Sequence, residues 1–181
     1  MNVIDKKEEH LLELFSQDMI QTRIKELAEK INNEFDKNDE LFVIGVLRGS
    51  VLFVADLVRH LKMPVQIEFI RLSSYGNDQK STGKVKTVDL SLPNLADKNV
   101  LIVEDIVDTG LTAHFLIDYI KDQHNAKIVK FASLLDKTCA RIHPVNIDYI
   151  GFEVDDKFVV GYGLDYQGYY RNLPYIGYFP Q

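Results

Sequence analysis

Residues 100–112 read Val-Leu-Ile-Val-Glu-Asp-Ile-Val-Asp-Thr-Gly-Leu-Thr, an apolar run that delivers two adjacent carboxylates, Glu104 and Asp105. Carboxylates at the end of a buried strand are costly unless cations or hydrogen-bond donors meet them. Sugar hydroxyls and a divalent metal are both groups that would do so. Just beyond them, Asp108-Thr-Gly-Leu-Thr112 has the composition of a tight turn into a helix. Free backbone N–H groups, the hydroxyls of Thr109 and Thr112 and the helix dipole together suit a phosphate monoester. Carboxylates for a sugar diol thus stand beside a nest for the phosphate on the same sugar. An acidic pair alone is better read as solvated, with Asp108 as a helix cap; the joint pattern favours a ribose-phosphate site.

The elements that must position these groups follow from periodicity. Leu11, Leu12, Leu14 and Phe15 recur at helical spacing, and so do Ile20, Ile24, Leu27 and Ile31, with Ser16 and Asp18 available as caps. LFVIGVL (41–47) is a continuous apolar run of strand length that stops at Arg48-Gly49-Ser50, and VLFVADLVRHL (51–61) reads as a helix. PVQIEFIRL (64–72) alternates as a strand does, and the polar stretch 73–84 reads as a loop. Strands are predicted at 99–105 and 127–135, with a helix between them from Thr112 to about Asp122. The rest of the chain reads as short strands and turns. Buried strands alternating with helices predict an α/β protein with a mostly parallel central sheet flanked by helices. Ligands then belong beyond the carboxyl ends of the strands.

Composition narrows the function. The 181 residues suffice for one well-buried core, and the chain is expected to form a single domain. The formal charge of −6 argues against a general nucleic-acid surface, so phosphate must be held locally by loops. The single cysteine, Cys139, has no intramolecular disulfide partner and no zinc-ligand spacing around it, and it reads as a partly packed thiol. The opening MNVIDKKEEHLLELF is amphipathic without an apolar signal core, and no stretch is long enough to span a bilayer. A cytoplasmic location and no membrane partner are expected. His143-Pro144 reads as a turn. Gly161-Tyr-Gly163 lacks the context of a dinucleotide fingerprint, and there is no Walker lysine motif.

VLIVEDIVDTGLT resembles the ribose-phosphate signature of the type I phosphoribosyltransferases, in particular their hypoxanthine-guanine branch. Leu47-Arg48-Gly49-Ser50 resembles that family's pyrophosphate loop, and Ser74-Tyr75 opens what looks like its flexible catalytic loop. Lys130, in VKFASLLDK, matches the purine-contacting lysine. Lys157 to Tyr166 resembles the base-binding hood, and Arg171 the pyrophosphate-binding arginine. Leu111 departs from the pattern, since relatives often carry a polar or charged residue there; the backbone N–H is what binds. The resemblance implies a type I phosphoribosyltransferase fold, with a core at about 38–150 and a small hood from the N-terminal segment and about 151–181.

The resemblance also implies a reaction: ribose 5-phosphate passes from phosphoribosyl pyrophosphate to a purine nitrogen, releasing pyrophosphate. It gives Asp108 the role of general base. Glu104, Asp105, Ile106, Val107, Asp108, Thr109, Gly110, Leu111 and Thr112 would hold the ribose and its phosphate. Lys130 would donate to O6 of a 6-oxopurine, Phe158 would stack on the base, and backbone near Val159 and Asp165 would read its edge. Leu47, Arg48, Gly49 and Arg171 would bind pyrophosphate. Mg2+ is the implied cofactor, with Glu104, Asp105 and Asp165 as candidate ligands. A homodimer or homotetramer is expected. The rivals are a nucleotide-binding regulator of transcription, disfavoured by the charge, and a transferase for adenine or a pyrimidine, disfavoured by Lys130 and the hood.

Overall fold

The computed structural model describes residues 11–74, 85–89 and 92–180. Chain order runs β1 (Leu12–Phe15), α1 (Gln17–Glu34), β2 (Leu41–Leu47), α2 (Val51–Val58), β3 (Val65–Ser74) and β4 (Val85–Asp89). It continues with β5 (Asn99–Val107), α3 (Leu111–His124), β6 (Ile128–Asp136), a 3-10 turn at Thr138–Ala140, β7 (Tyr149–Glu153), β8 (Val159–Val160) and β9 (Ile176–Tyr178). Six strands form one sheet in the order β4-β3-β2-β5-β6-β7, parallel except for β4 at its edge. β1, β9 and β8 form a separate antiparallel sheet.

The continuous apolar runs reflect burial on both faces of the central sheet. From β2 and β5, Leu41, Val43, Leu101 and Val103 pack under α1 and α2, while Phe42, Ile44, Val100 and Ile102 pack under α3. Helix α1 begins where the Ser16 side chain accepts a bond from the Met19 N–H at 3.3 Å, and it buries Ile20, Ile24, Leu27 and Ile31 on one stripe. The chain runs from β2 to β3 on one side and returns to β5 on the other, so the strand order reverses between β2 and β5. The carboxyl ends flanking such a reversal leave a crevice, and residues 47–50 and 104–112 border it.

The structure corrects several local expectations. Leu12–Phe15 is a strand, because Leu12 and Glu13 pair with Tyr178 and Gly177, partners too far away in the chain for periodicity to reveal. β4 was not expected at all; it is an edge strand on β3. β5 continues two residues beyond 105, so Ile106 and Val107 belong to the strand, and α3 starts at Leu111. Helix α2 ends at Val58, short of 61. Ser74 closes β3, while Tyr75 and the remainder of the expected loop to residue 84 lie outside the described residues. Cys139 is exposed. No helix among the described residues is long and apolar enough to cross a membrane.

Candidate active site

At the end of β2 the Leu47–Arg48 peptide is cis, and Gly49 follows it into the crevice. Gly49 is where two elements nearly touch: a Cβ built on it would lie 1.6 Å from Oδ2 of Asp105. Gly163 repeats this device from the other side, since a Cβ there would lie 2.0 Å from the Gly49 carbonyl oxygen. Its φ of 97° also suits glycine. Arg171 donates to the Gly163 carbonyl, and its guanidinium is ion-paired with Asp165. Asp165 also accepts the Gly168 N–H at 2.7 Å. Gly49, Asp105, Gly163, Asp165 and Arg171 thus form one continuous cluster.

Glu104 and Asp105 are adjacent near the end of β5, and the charge of Asp105 is felt at Glu104. Burial pushes the Asp105 carboxyl up to about 6; backbone N–H groups and Arg171 oppose the rise, and the nearby Asp165 adds to it. Glu104 is more deeply buried and is pushed well above its usual range, first by burial and then by the charge of Asp105, with Arg141 opposing. Both carboxylates would therefore gain from a cation or hydroxyl donors. Among the described residues no group of three or more His, Cys, Asp or Glu is arranged to hold a metal ion.

Beyond β5 the chain turns sharply. Asp108 is exposed, Gly110 has φ 82°, and the Leu111 N–H points back to Thr109 Oγ1 at 3.4 Å. Arg141 fixes this turn from below, donating to the carbonyls of Val107 and Asp108 at 3.3 and 3.1 Å while paired with the buried Asp136. The N–H groups of Ile142 and His143 both donate to the Thr109 carbonyl, so His143-Pro144 braces the turn. Thr109 and Gly110 thereby lead into the first turn of α3, where the phosphate nest is expected.

Lys130 is not brought to this site. It stands near the start of β6, opposite Leu101, with Nζ 2.6 Å from Glu34 and 3.1 Å from Asp148. Ligands gather at the other end of the strands. Lys137 is the cation that β6 delivers there, and it was missed. It follows the last residue of the strand, and its Nζ lies 2.8 Å from Asp156 and 3.4 Å from the Lys157 carbonyl. Asp156 holds its pKa above the ordinary lysine range, and the charge of Asp108 adds to this. The signal was in the sequence: of the two lysines in VKFASLLDK, only the second sits at the carboxyl end of the run. Phe158 is 56% exposed and meets Tyr166 edge-to-face at 5.6 Å, whereas Val159 is buried in β8 opposite Tyr178.

Fold and site together define an α/β protein with a sugar-phosphate crevice under a small antiparallel hood. Residues 13–167 match the family model described as "Phosphoribosyl transferase domain". The chain is 43% identical over 164 residues to the hypoxanthine-guanine phosphoribosyltransferase of Bacillus subtilis, covering 91% of this chain and 90% of that one. It is also 43% identical to the Aquifex aeolicus protein of the same name, covering 90% and 91%. A crystal structure of a Bacillus anthracis hypoxanthine-guanine phosphoribosyltransferase superposes with a TM-score of 0.87 at 47% identity, covering 92% and 97%. A Staphylococcus aureus hypoxanthine phosphoribosyltransferase gives a TM-score of 0.90 at 34% identity, covering 99% and 96%. The chain belongs to the phosphoribosyl transferase domain family.

Proposed function

We propose that the protein is a hypoxanthine-guanine phosphoribosyltransferase of purine salvage. It would transfer the 5-phosphoribosyl unit from phosphoribosyl pyrophosphate to hypoxanthine or guanine, giving IMP or GMP and pyrophosphate. The observation that carries this reading is the Gly49–Asp105–Gly163–Arg171 cluster, built at the end of the strand that leads directly into the Thr109–Thr112 turn. The nest takes the 5-phosphate, Glu104 and Asp105 the ribose hydroxyls, and Leu47, Arg48, Gly49 and Arg171 the pyrophosphate. Ser74 and Tyr75 would join the pyrophosphate.

Cleavage at the anomeric carbon develops positive charge on the sugar and negative charge on the leaving group. Positioning and electrostatics therefore carry most of the rate. Asp108, exposed at the mouth of the turn, takes the proton from the imidazole ring of the purine. Lys137, rather than Lys130, donates to O6, and the bond from Lys137 to Asp156 orients it. Phe158 lies against the base, with backbone near Val159 and Asp165 at its edge. Mg2+ would suit the buried Asp105, whose raised pKa marks a carboxylate short of cationic partners, with Asp165 nearby as the second candidate ligand and Glu104 adding its charge. An ion that keeps its waters and binds substrate phosphates needs no full protein cage. When bound, it neutralises leaving-group charge.

A cytoplasmic homodimer is the proposed form. Ile67 and Phe69, 44% and 41% exposed, lie on the outer part of β3 beside α2, where the Phe69 ring and Val54 both crowd Gly45. Such an apolar patch suits a second copy. The function itself is tested by assaying phosphoribosyl pyrophosphate with hypoxanthine, guanine, xanthine, adenine and uracil. Turnover restricted to 6-oxopurines is expected. Turnover with adenine or uracil alone would overturn the base assignment, and none with any base would favour a regulator.

A further inference from the structure

The run Gly161-Tyr162-Gly163 takes positive φ at three consecutive residues, 97°, 46° and 97°. A tyrosine in that region is held there by its surroundings rather than by preference. Both flanking glycines are pressed against backbone. A Cβ at Gly161 would lie 2.1 Å from the Tyr175 carbonyl oxygen, and one at Gly163 would lie 2.0 Å from that of Gly49. The segment is thus wedged between the hood's C-terminal strand region and the loop after β2. Neither glycine has a side chain with which to hold it there.

The side chain between them does. Tyr162 is 5% exposed, and its hydroxyl donates to the Asp56 carboxylate on α2. Asp56 is itself fixed by Gln21 of α1 at 2.6 Å and by an ion pair with Arg59. The phenol therefore ties the hood to the two helices that pack on β2 and β5. What it places is specific: Gly163, whose carbonyl receives Arg171, and through Arg171 the Asp165 carboxylate and the field at Asp105. The purine side of the hood is anchored separately, because Val159 is paired with Tyr178 in the small sheet.

We infer that Tyr162, through its bond to Asp56, is a positioning residue that sets Gly163 and Arg171 against Gly49 and so tunes the pyrophosphate end of the site far more than the purine end, which shares with it only Asp165. The inference rests on the phosphoribosyltransferase reading. In the full-length protein, Tyr162→Phe removes one hydroxyl and keeps the ring volume, and Asp56 retains Gln21 and Arg59. Because the lost bond is to a charged group, KM for phosphoribosyl pyrophosphate is expected to rise at least about fivefold. By calorimetry, the dissociation constant of inorganic pyrophosphate should rise in step, while KM for hypoxanthine stays within about twofold. Unchanged constants would overturn the inference. So would a parallel rise in both KM values with a lowered melting temperature, because the bond would then serve only stability. Should Tyr162→Phe fail to fold, Asp56→Asn weakens the same bond and is read in the same way. Turnover by the unaltered protein separates the two ideas: its absence refutes the phosphoribosyltransferase reading, whereas turnover with an unaffected variant refutes only the latch.

Discussion

Asp108 stands where a short acid–base residue is of use, exposed at the end of β5 with its carbonyl held by Arg141 and its carboxylate within the field of Lys137. Asp108→Asn is expected to leave substrate binding largely intact and to lower turnover at least about tenfold in a steady-state assay. Unchanged turnover would remove Asp108 from the role. The two lysines of β6 make a paired prediction. Lys137→Met should cut kcat/KM for hypoxanthine by at least about tenfold and narrow its margin over adenine, because O6 loses its donor. Lys130→Met should leave both values unchanged and lower stability in urea by about 1 kcal/mol, as expected for a part-exposed ion pair. The reverse outcome would restore Lys130 to the site. Residue type and spacing were enough to single out Glu104, Asp105, Asp108 and the nest. They were not enough to choose between two lysines seven residues apart, because that choice depends on which end of the strand faces the ligand.

Among the elements, α1 is tied to the sheet at the end remote from the site. Glu34, its last residue, is bonded to Lys130 and to the Tyr149 hydroxyl, and these bonds hold its carboxyl below the usual range, Lys130 contributing most. A carboxyl with a lowered folded-state pKa stabilises the protein above its unfolded pKa. That contribution disappears as pH falls through the folded value. Unfolding free energy should therefore decline as pH drops below about 4.5, the ordinary value for Glu, and Glu34→Gln should make that decline shallower. Urea titrations from pH 7 to about 3.5 measure it, and identical slopes for the two proteins would rule the bond out as a contributor. Strands buried on both faces, β2 and β5, were readable as apolar runs, and α1 from its stripe and its Ser16 cap. β1 was read as helix because Leu12, Leu14 and Phe15 satisfy both periods over so short a length; only its pairing with β9 decides.

For the whole molecule, the exposed apolar pair on β3, Ile67 and Phe69, is the feature a lone chain leaves unsatisfied. If a second copy covers it, Phe69→Lys should shift the protein from dimer to monomer in light scattering. A monomeric unaltered protein would end that proposal. The sequence by itself determined the α/β class, the buried strand carrying Glu104 and Asp105 and the turn into α3 that follows it, since each of these is written in contiguous residues through burial pattern and local turn chemistry. Only the tertiary structure decided that Gly49, Asp105, Gly163 and Arg171 meet, and that Lys137 rather than Lys130 faces the crevice. The same holds for the Tyr162 phenol, which reaches Asp56 across 106 positions of chain. These contacts join four separate stretches of chain at one reversal of strand order. Close backbone approach leaves no periodicity for a sequence to display.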